Sequence, residues 1–337
     1  MPLPTESGNA DLGVLLFNLG GPETPADVRP FLFNLFSDPD IIRIKSNMLR
    51  RTIAWLIATG RQRKSRELYR QIGGGSPLRK ITEAQAAALE ERLAAIGYKA
   101  RAYVGMRCWK PAIDEAVEQI AADGIKRLVA LPLFPQFSVT TAGSCRNYFR
   151  AIAGKSGLSG RVQIHYVDAW FEEPLYLEAM VDMIREAQNR FSSQTPAGIH
   201  LLYSAHSIPE RYVREGDPYL EQTQKTVALI NERLGSLFPF TLAFQSKVGP
   251  VRWLGPPTAA VLARLGQQGV DKVLAVPISF VSDHIETLQE IDILYRDLAR
   301  KAGIQEFQRA RSLNVYPKFI EALARITLAA LAGTLSA

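Results

Sequence analysis

Short apolar runs alternate with amphipathic stretches along most of this chain. Leu12 to Asn18 (LGVLLFN) is a continuous apolar run stopped by Gly20, Gly21 and Pro22, the pattern of a strand covered on both faces. Residues 26–35 and the basic stretch after them read as helical, and GGGSP at 73–77 reads as a loop. Its three glycines allow a tight turn or a close backbone approach. Neither the Gly-Lys-Ser/Thr of a phosphate loop nor a dinucleotide fingerprint follows, so a phosphate cradle is poorly supported. Residues 81–96, rich in Ala, Leu and Glu and stopped by Gly97, predict a helix.

Candidates then alternate. Strand 100–104, helix 111–123, strand 128–134, strand 162–167 and helix 173–190 lead into the second half. There, strand 198–204, helix 219–234, strand 241–245, helix 257–267, strand 273–280, helix 285–302 and a final strand near Ser312 follow. The order predicts an α/β fold built on doubly wound parallel sheets.

The two halves echo each other. GIKRLVALPLF at 124–134 and GVDKVLAVPISF at 269–280 align Gly, apolar run and Pro132 or Pro277, and LLFNLGGPE from Leu15 matches LLYSAHSIPE from Leu201. Two matches in the same order point to a duplicated unit. The expected architecture is two similar lobes with parallel sheets and a cleft between them. The first spans 1–170 and the second 171–337, joined near Tyr166 to Pro174, with the final helix placed to pack back on the first lobe.

Duplication also places the chemistry, because open α/β sheets bind ligands at the carboxyl ends of their strands. His206 follows one second-lobe strand, and VSDHIETLQEID at 281–292 follows another, setting Asp283, His284, Glu286 and Glu290 at the same rim. On the first-lobe rim, Gly20 and Gly21 leave room where the second lobe supplies His206, beside a polar loop from Ser138 to Ser144. A plainer account makes 281–292 a helix start, with Ser282 or Asp283 as N-cap and Glu286 as capping-box acid. SAHS would likewise simply end a strand. His165 and His200, lying inside or beside strand runs, read as structural.

Composition narrows the function classes. With 337 residues and 47% hydrophobic side chains the chain can bury a large core. Its net charge of +7 is spread out with no aromatic-interleaved basic tract, which argues against nucleic-acid binding. The one basic concentration, from Arg43 to Arg70, flanks the apolar segment 53–58; such a helix either lies on an anionic membrane surface or is simply solvated. Two cysteines, Cys108 and Cys145, without CxxC spacing exclude a four-cysteine site within the chain and suit a reducing compartment. No run reaches the roughly 18 apolar residues that span a bilayer, and MPLPTESGNADLG lacks a signal-peptide core. A cytoplasmic protein is expected.

An imidazole and a carboxylate facing each other can hold Fe²⁺, Co²⁺ or Zn²⁺ while leaving most of its coordination sphere open, and they can also move protons. Glu286 and Glu290, four apart, share one helix face. His284 is placed to support a neighbour through its second ring nitrogen.

LLFNLGGPETPADVRPFLFNLFSD, YRQIGGGSPL, LPLFPQFSVTTAGS, YSAHSIPERYVREGDPY, FQSKVGPVRWLGPPT and PISFVSDHIETLQEID together resemble the motifs of the ferrochelatase family, in order from about Leu12 to Tyr295. The resemblance implies two Rossmann-like lobes of class II chelatase type around a porphyrin cleft, and insertion of ferrous iron, as substrate metal, into protoporphyrin IX. It carries the metal-site roles to His206 and Glu286, with Glu290, His284 and Asp283 in an acidic track for metal entry or proton exit. It suggests an apolar wall including Leu16, Leu19, Phe31, Leu32 and Ile53, with Ser138, Thr140 and Arg146 meeting the propionates. LFNLGGPET resembles the protoporphyrin-type members rather than those acting on coproporphyrin. The tail after Pro317 lacks the cysteines that carry a [2Fe–2S] cluster in some members, so no iron–sulfur cluster is expected. Residues 42–66 match a hydrophobic lip, which implies peripheral membrane contact. A porphyrin or metal carrier without turnover, and a chelatase for another metal and tetrapyrrole, remain the alternatives.

Overall fold

The computed structural model describes residues 10–249 and 251–334; the first nine residues of the polar N-terminal arm lie outside them. Four strands, β1 (Leu12–Asn18), β2 (Ala100–Met106), β3 (Arg127–Pro132) and β4 (Gln163–Tyr166), form a parallel sheet ordered β2-β1-β3-β4. Four more, β5 (His200–His206), β6 (Phe240–Gln245), β7 (Lys272–Pro277) and β8 (Glu306–Arg309), form a second with the equivalent order β6-β5-β7-β8. The repeat read from the sequence is thus a repeat of topology. In each sheet the order reverses beside the first strand, at β1/β3 and β5/β7, which opens a crevice at the strands' carboxyl ends.

All seven residues of β1 are buried. Helices cover both faces of the sheet, which is why the run is continuously apolar rather than alternating. Strands β3 and β7 stop at Pro132 and Pro277, short of the expected ends at 134 and 280, because proline offers no N–H to the ladder. One further bond follows in each lobe, Leu133 N–H to the Phe17 carbonyl and Ile278 N–H to that of Ser204. The chain then turns out toward the crevice.

Three elements differ from expectation. The polar stretch expected to be a loop, Ser138 to Ser144, winds into a π-helical turn, Val139–Gly143, that runs into an α-helix, Ser144–Lys155. The expected helix 285–302 is π-helical over Glu286–Tyr295 and α-helical only over Arg296–Lys301. The π-helical turns follow the equivalent strands β3 and β7, so the duplication extends to them. Finally, the strand expected near Ser312 is β8, Glu306–Arg309. It ends where Arg309 turns to pair with Asp283 and Asp292.

The lobes meet along a polar seam. Asp217 accepts hydrogen bonds from Ser138 Oγ (2.9 Å) and the Val139 N–H (2.9 Å), and Gln222 Oε1 accepts from the Phe137 N–H (2.7 Å). The last helix, Pro317–Ala332, packs on Leu78–Ala95 and Pro174–Gln188 and pairs Glu321 with Arg92. In the GGGSP loop, the Ser76 N–H bonds the Pro22 carbonyl at 2.7 Å, and a Cβ on Gly75 would lie 2.0 Å from the Glu23 carbonyl oxygen. Its glycines therefore serve close backbone packing.

Candidate active site

A cavity of about 370 Å³ opens between the lobes. The ends of β1, β3, β5 and β7 all reach it, through Asn18, Leu133, His206 and Ser279. Its other wall is the lip, made by helices Val28–Ser37 and Asn47–Arg70, which contribute Phe31, Leu32, Leu35, Phe36, Leu68 and Tyr69. Most of the lining is apolar. The second lobe contributes a cluster of titratable groups, His206, His284, Glu286 and Glu290, which face the space together with Ser246.

His206 is the last residue of β5. Its N–H donates to Ser279 Oγ (3.2 Å), its carbonyl accepts from the Tyr219 hydroxyl (2.9 Å), and that hydroxyl lies 2.5 Å from Ser279 Oγ. This closed ring of bonds fixes the backbone under the imidazole. Across the cavity floor, His206 Nδ1 lies 2.8 Å from Glu286 Oε2. Burial disfavours a charge on His206, but Glu286 and then Glu290 outweigh it and leave the ring's pKa above the ordinary histidine value. Burial likewise pushes the Glu286 carboxyl up, yet His206, His284 and the Ser246 hydroxyl hold it well below the usual range. An ionised Glu286 accepts the Nδ1–H, so Nε2 is left as the free lone pair.

Glu290 behaves oppositely. Burial, together with the charge on Glu286, pushes its carboxyl up to about 7. Ser246 Oγ lies 2.7 Å from Glu286 Oε2 and 2.7 Å from Glu290 Oε2. A hydroxyl holds one proton, so satisfying both contacts requires a proton on Glu290 while Ser246 donates to Glu286. Gln245 Nε2 completes the arrangement, donating to the Glu286 carbonyl (3.1 Å) and Glu290 Oε2 (3.1 Å). The π-helical turn keeps residues four apart on one face, and wide turns of this kind are frequent at functional sites.

Several expected residues lie elsewhere. Asp283 does not line the cavity; its carboxylate accepts from Arg309, Ser312, Thr287 and Asn314 at 2.9–3.0 Å. Leu16 is fully buried within the sheet core. Arg146 turns to Asp168 and to the ring of Phe137, and Ile53 is also off the cavity. Leu19, Ser138 and Thr140 do line it, although the Ser138 hydroxyl is committed to Asp217. The room at Gly20 is filled by Trp109, whose Cβ would sit 2.7 Å from a Cβ there. His165 lies in β4 and His200 in β5, the latter 2.9 Å from Thr241 Oγ1, and neither reaches the cavity.

Ser246 and Arg61 are polar cavity groups that the reading of single residues passed over, and Gln245, buried behind the two glutamates, is a third such residue of the site. Gln245 ends β6 and Ser246 follows it, in the polar FQS after an apolar run, a signal of the same kind as SAHS. Arg61 stands on the lip helix with its guanidinium 5.8 Å from the centre of the Phe36 ring. Burial lowers its pKa, partly offset by Glu290. Among the described residues no three His, Cys, Asp or Glu side chains are grouped to hold a metal ion, and the His206–Glu286 pair leaves most of a cation's coordination sphere to other ligands.

A sequence model of the ferrochelatase family matches residues 11–331. This chain belongs to the ferrochelatase family. It is 51% identical over 318 residues to a ferrochelatase of Gloeothece citriformis, covering 94% of this chain and 82% of that one. It is 52% identical over 312 residues to a ferrochelatase of a Synechococcus species, covering 92% and 91%. Among solved structures, SirB from Bacillus subtilis with Fe³⁺ superposes with a TM-score of 0.56 at 13% identity, covering 96% of this chain and 97% of that one. The sirohydrochlorin chelatase SirB of Bacillus subtilis subspecies spizizenii with cobalt gives 0.52 at 13% identity, covering 95% of each. At that identity the likeness concerns the fold, two Rossmann-like lobes of class II chelatase type. As a ferrochelatase family member the chain is an enzyme that inserts metal into a porphyrin.

Proposed function

We propose that this enzyme inserts ferrous iron into protoporphyrin IX to give protoheme, with the lobes dividing between residues 170 and 171. The observation that carries the reading is the His206–Glu286 pair facing a largely apolar cavity of about 370 Å³ between the lobes. A free-base porphyrin holds two N–H groups inside a rigid macrocycle, and iron enters only once the ring bends and the protons leave. A cavity shaped to the bent ring stabilises the transition state more than the flat substrate. His206 Nε2 takes a pyrrole proton, and Glu286 stabilises the resulting imidazolium. Glu290 and His284 lie on the route by which iron enters or protons leave. Arg61 and Thr140 are the groups placed to meet propionates. The metal is substrate, and no iron–sulfur cluster takes part; Cys108 and Cys145 are both buried, as free thiols.

The lip carries a second proposal, peripheral membrane contact through residues 42–66. Met48 (81% exposed), Trp55 (49%) and Leu56 (57%) stand out from the helix beside Arg51. Among the described residues no helix is long and apolar enough to cross a membrane. Contact at the surface would let a poorly soluble porphyrin pass between bilayer and cavity.

The test is anaerobic. Purified protein with Fe²⁺ and either protoporphyrin IX or coproporphyrin III is followed by the loss of free-base porphyrin absorption. Catalytic loss faster with protoporphyrin supports the reading, and faster loss with coproporphyrin replaces the substrate. Stoichiometric binding of either ring without turnover would make the protein a carrier.

A further inference from the structure

One side chain of the first lobe reaches the loop that carries His284. Gln85, on the helix Leu78–Ala95, is fully buried, and its Nε2 donates to Ser282 Oγ (2.9 Å) and to the Asn314 carbonyl (2.8 Å). A carbonyl only accepts, so the amide's NH₂ must face that way. Both acceptors hold the same short loop. The Ser282 carbonyl lies 3.0 Å from His284 Nδ1, which fixes the Nδ1–H tautomer and leaves Nε2 as the acceptor. Asn314, in the left-handed region at φ 46°, binds the Val281 carbonyl through its N–H (2.8 Å) and the Asp283 N–H through its Oδ1 (2.9 Å). Phe280 packs against the His284 ring, centroids 4.3 Å apart. The loop is therefore braced from its own lobe by Asn314 and from the other lobe by Gln85.

Stability alone does not account for a glutamine here. Its Oε1 is buried with no hydrogen-bond partner, and an unpaired buried acceptor destabilises a fold that an apolar residue of similar volume would not.

We propose that Gln85 is a positioning residue for metal insertion: its amide holds Ser282 and Asn314 so that His284 presents Nε2 to the cavity, coupling the two lobes. This rests on the proposed part of His284 in the reaction. Groups that orient a ligating histidine typically change affinity or activity by about 10–100-fold when removed.

The experiment is a cycle of Gln85→Leu and His284→Ala, read as kcat/KM for Fe²⁺ and KM for protoporphyrin. Gln85→Leu alone lowers kcat/KM for Fe²⁺ by about tenfold with the porphyrin KM unchanged. In the His284→Ala background it adds about twofold or less. Full additivity in both backgrounds, or a matching rise in porphyrin KM, overturns the proposal and leaves Gln85 a packing residue. Wild-type activity of His284→Ala overturns instead the role of His284 on which the proposal rests. If Gln85→Leu folds poorly, Ser282→Ala carries the same cycle, since it removes one acceptor and leaves the bond to Asn314. A smaller loss, again absent without His284, is expected of it, and a loss that persists without His284 overturns the proposal.

Discussion

His206 Nδ1 and Glu286 Oε2, brought together from the end of β5 and the start of the π-helical segment after β7, lie 2.8 Å apart. The bond orients the ring, fixes its tautomer and supports its protonated form, as a carboxylate does for a general-base histidine elsewhere. His206→Ala should abolish insertion, and Glu286→Gln should lower kcat by about 10²–10⁴ while porphyrin still quenches protein fluorescence at the wild-type concentration. His165→Ala, off the cavity, should change kcat little. Wild-type turnover by the His206 variant would remove the base.

The opposed carboxyls predict a pH profile. Glu290 titrates near 7 through burial and the Glu286 charge, so below that pH it is neutral and attracts no cation. His206, with its pKa raised, is also in the wrong form for a base at low pH. Insertion should rise with pH through about 7, and Glu290→Gln should remove one of the two limbs and leave the His206 limb. Stability runs the other way for Glu290. A folded pKa raised above 4.5 means its contribution is present below about 4.5 and lost as pH rises through about 7. Melting curves should therefore show Glu290→Gln gaining on wild type from pH 5 to pH 8. An unchanged difference between those pH values would contradict the shift.

The sheets were legible because buried parallel strands are continuous apolar runs, and the duplicated Gly-run-Pro pattern gave both their number and their grouping. His206, Glu286, Glu290 and His284 were legible because each follows such a run. What periodicity could not show was backbone winding. A π-helical turn has nearly the side-chain spacing of an α-helix over one turn, so Glu286–Tyr295 reads as ordinary helix, whereas Val139–Gly143 (VTTAG) is too short and polar to show a period and reads as loop. Nor does a single sequence reveal which acids are already matched. Asp283 stands one residue from His284, yet only the packing of β8 shows that Arg309 and Asn314 have claimed it.

Arg61 projects into the cavity from the lip rather than pairing on the surface, stacked over Phe36. A porphyrin propionate is the natural counter-ion. Hydrogen bonds to charged groups contribute about 1.5–3 kcal/mol, so Arg61→Leu should raise the protoporphyrin KM by roughly 10–100-fold with kcat nearly kept. The porphyrin dimethyl ester separates charge from packing: Arg61→Leu should bind it as wild type does. An equal loss with ester and free acid would assign Arg61 to the wall alone.

Exposed Met48, Trp55 and Leu56 on a basic helix predict reversible binding to anionic vesicles. Inserting a large apolar side chain gains about 1.5–3 kcal/mol, and each nearby basic residue about 1 kcal/mol. Trp55→Glu with Leu56→Glu should lower co-sedimentation with phosphatidylserine-containing vesicles at least tenfold while leaving insertion into detergent-solubilised porphyrin intact. Equal sedimentation of both forms would return the segment to a solvated helix face.

Asp283 separates anchoring from chemistry within one motif. Burial raises its pKa, but the Arg309 charge and the bonds from Asn314, Ser312 and Thr287 bring it below 3.8. Its contribution to stability is thus present above about 3.8 and lost as pH falls through the lower folded value. Arg309 is only 10% exposed, and removing one partner of a buried pair costs about 3 kcal/mol or more. Asp283→Asn should therefore shift the urea midpoint down at pH 7, with the difference from wild type narrowing as pH falls through the lowered folded pKa and the wild-type carboxyl itself protonates. Activity per folded molecule should fall far less than in the His206 variant, because the carboxylate faces Arg309 and not the cavity. A variant as stable as wild type but inactive would put Asp283 back among the groups that move protons or iron, and Arg309 would then hold a reactive carboxylate rather than a brace.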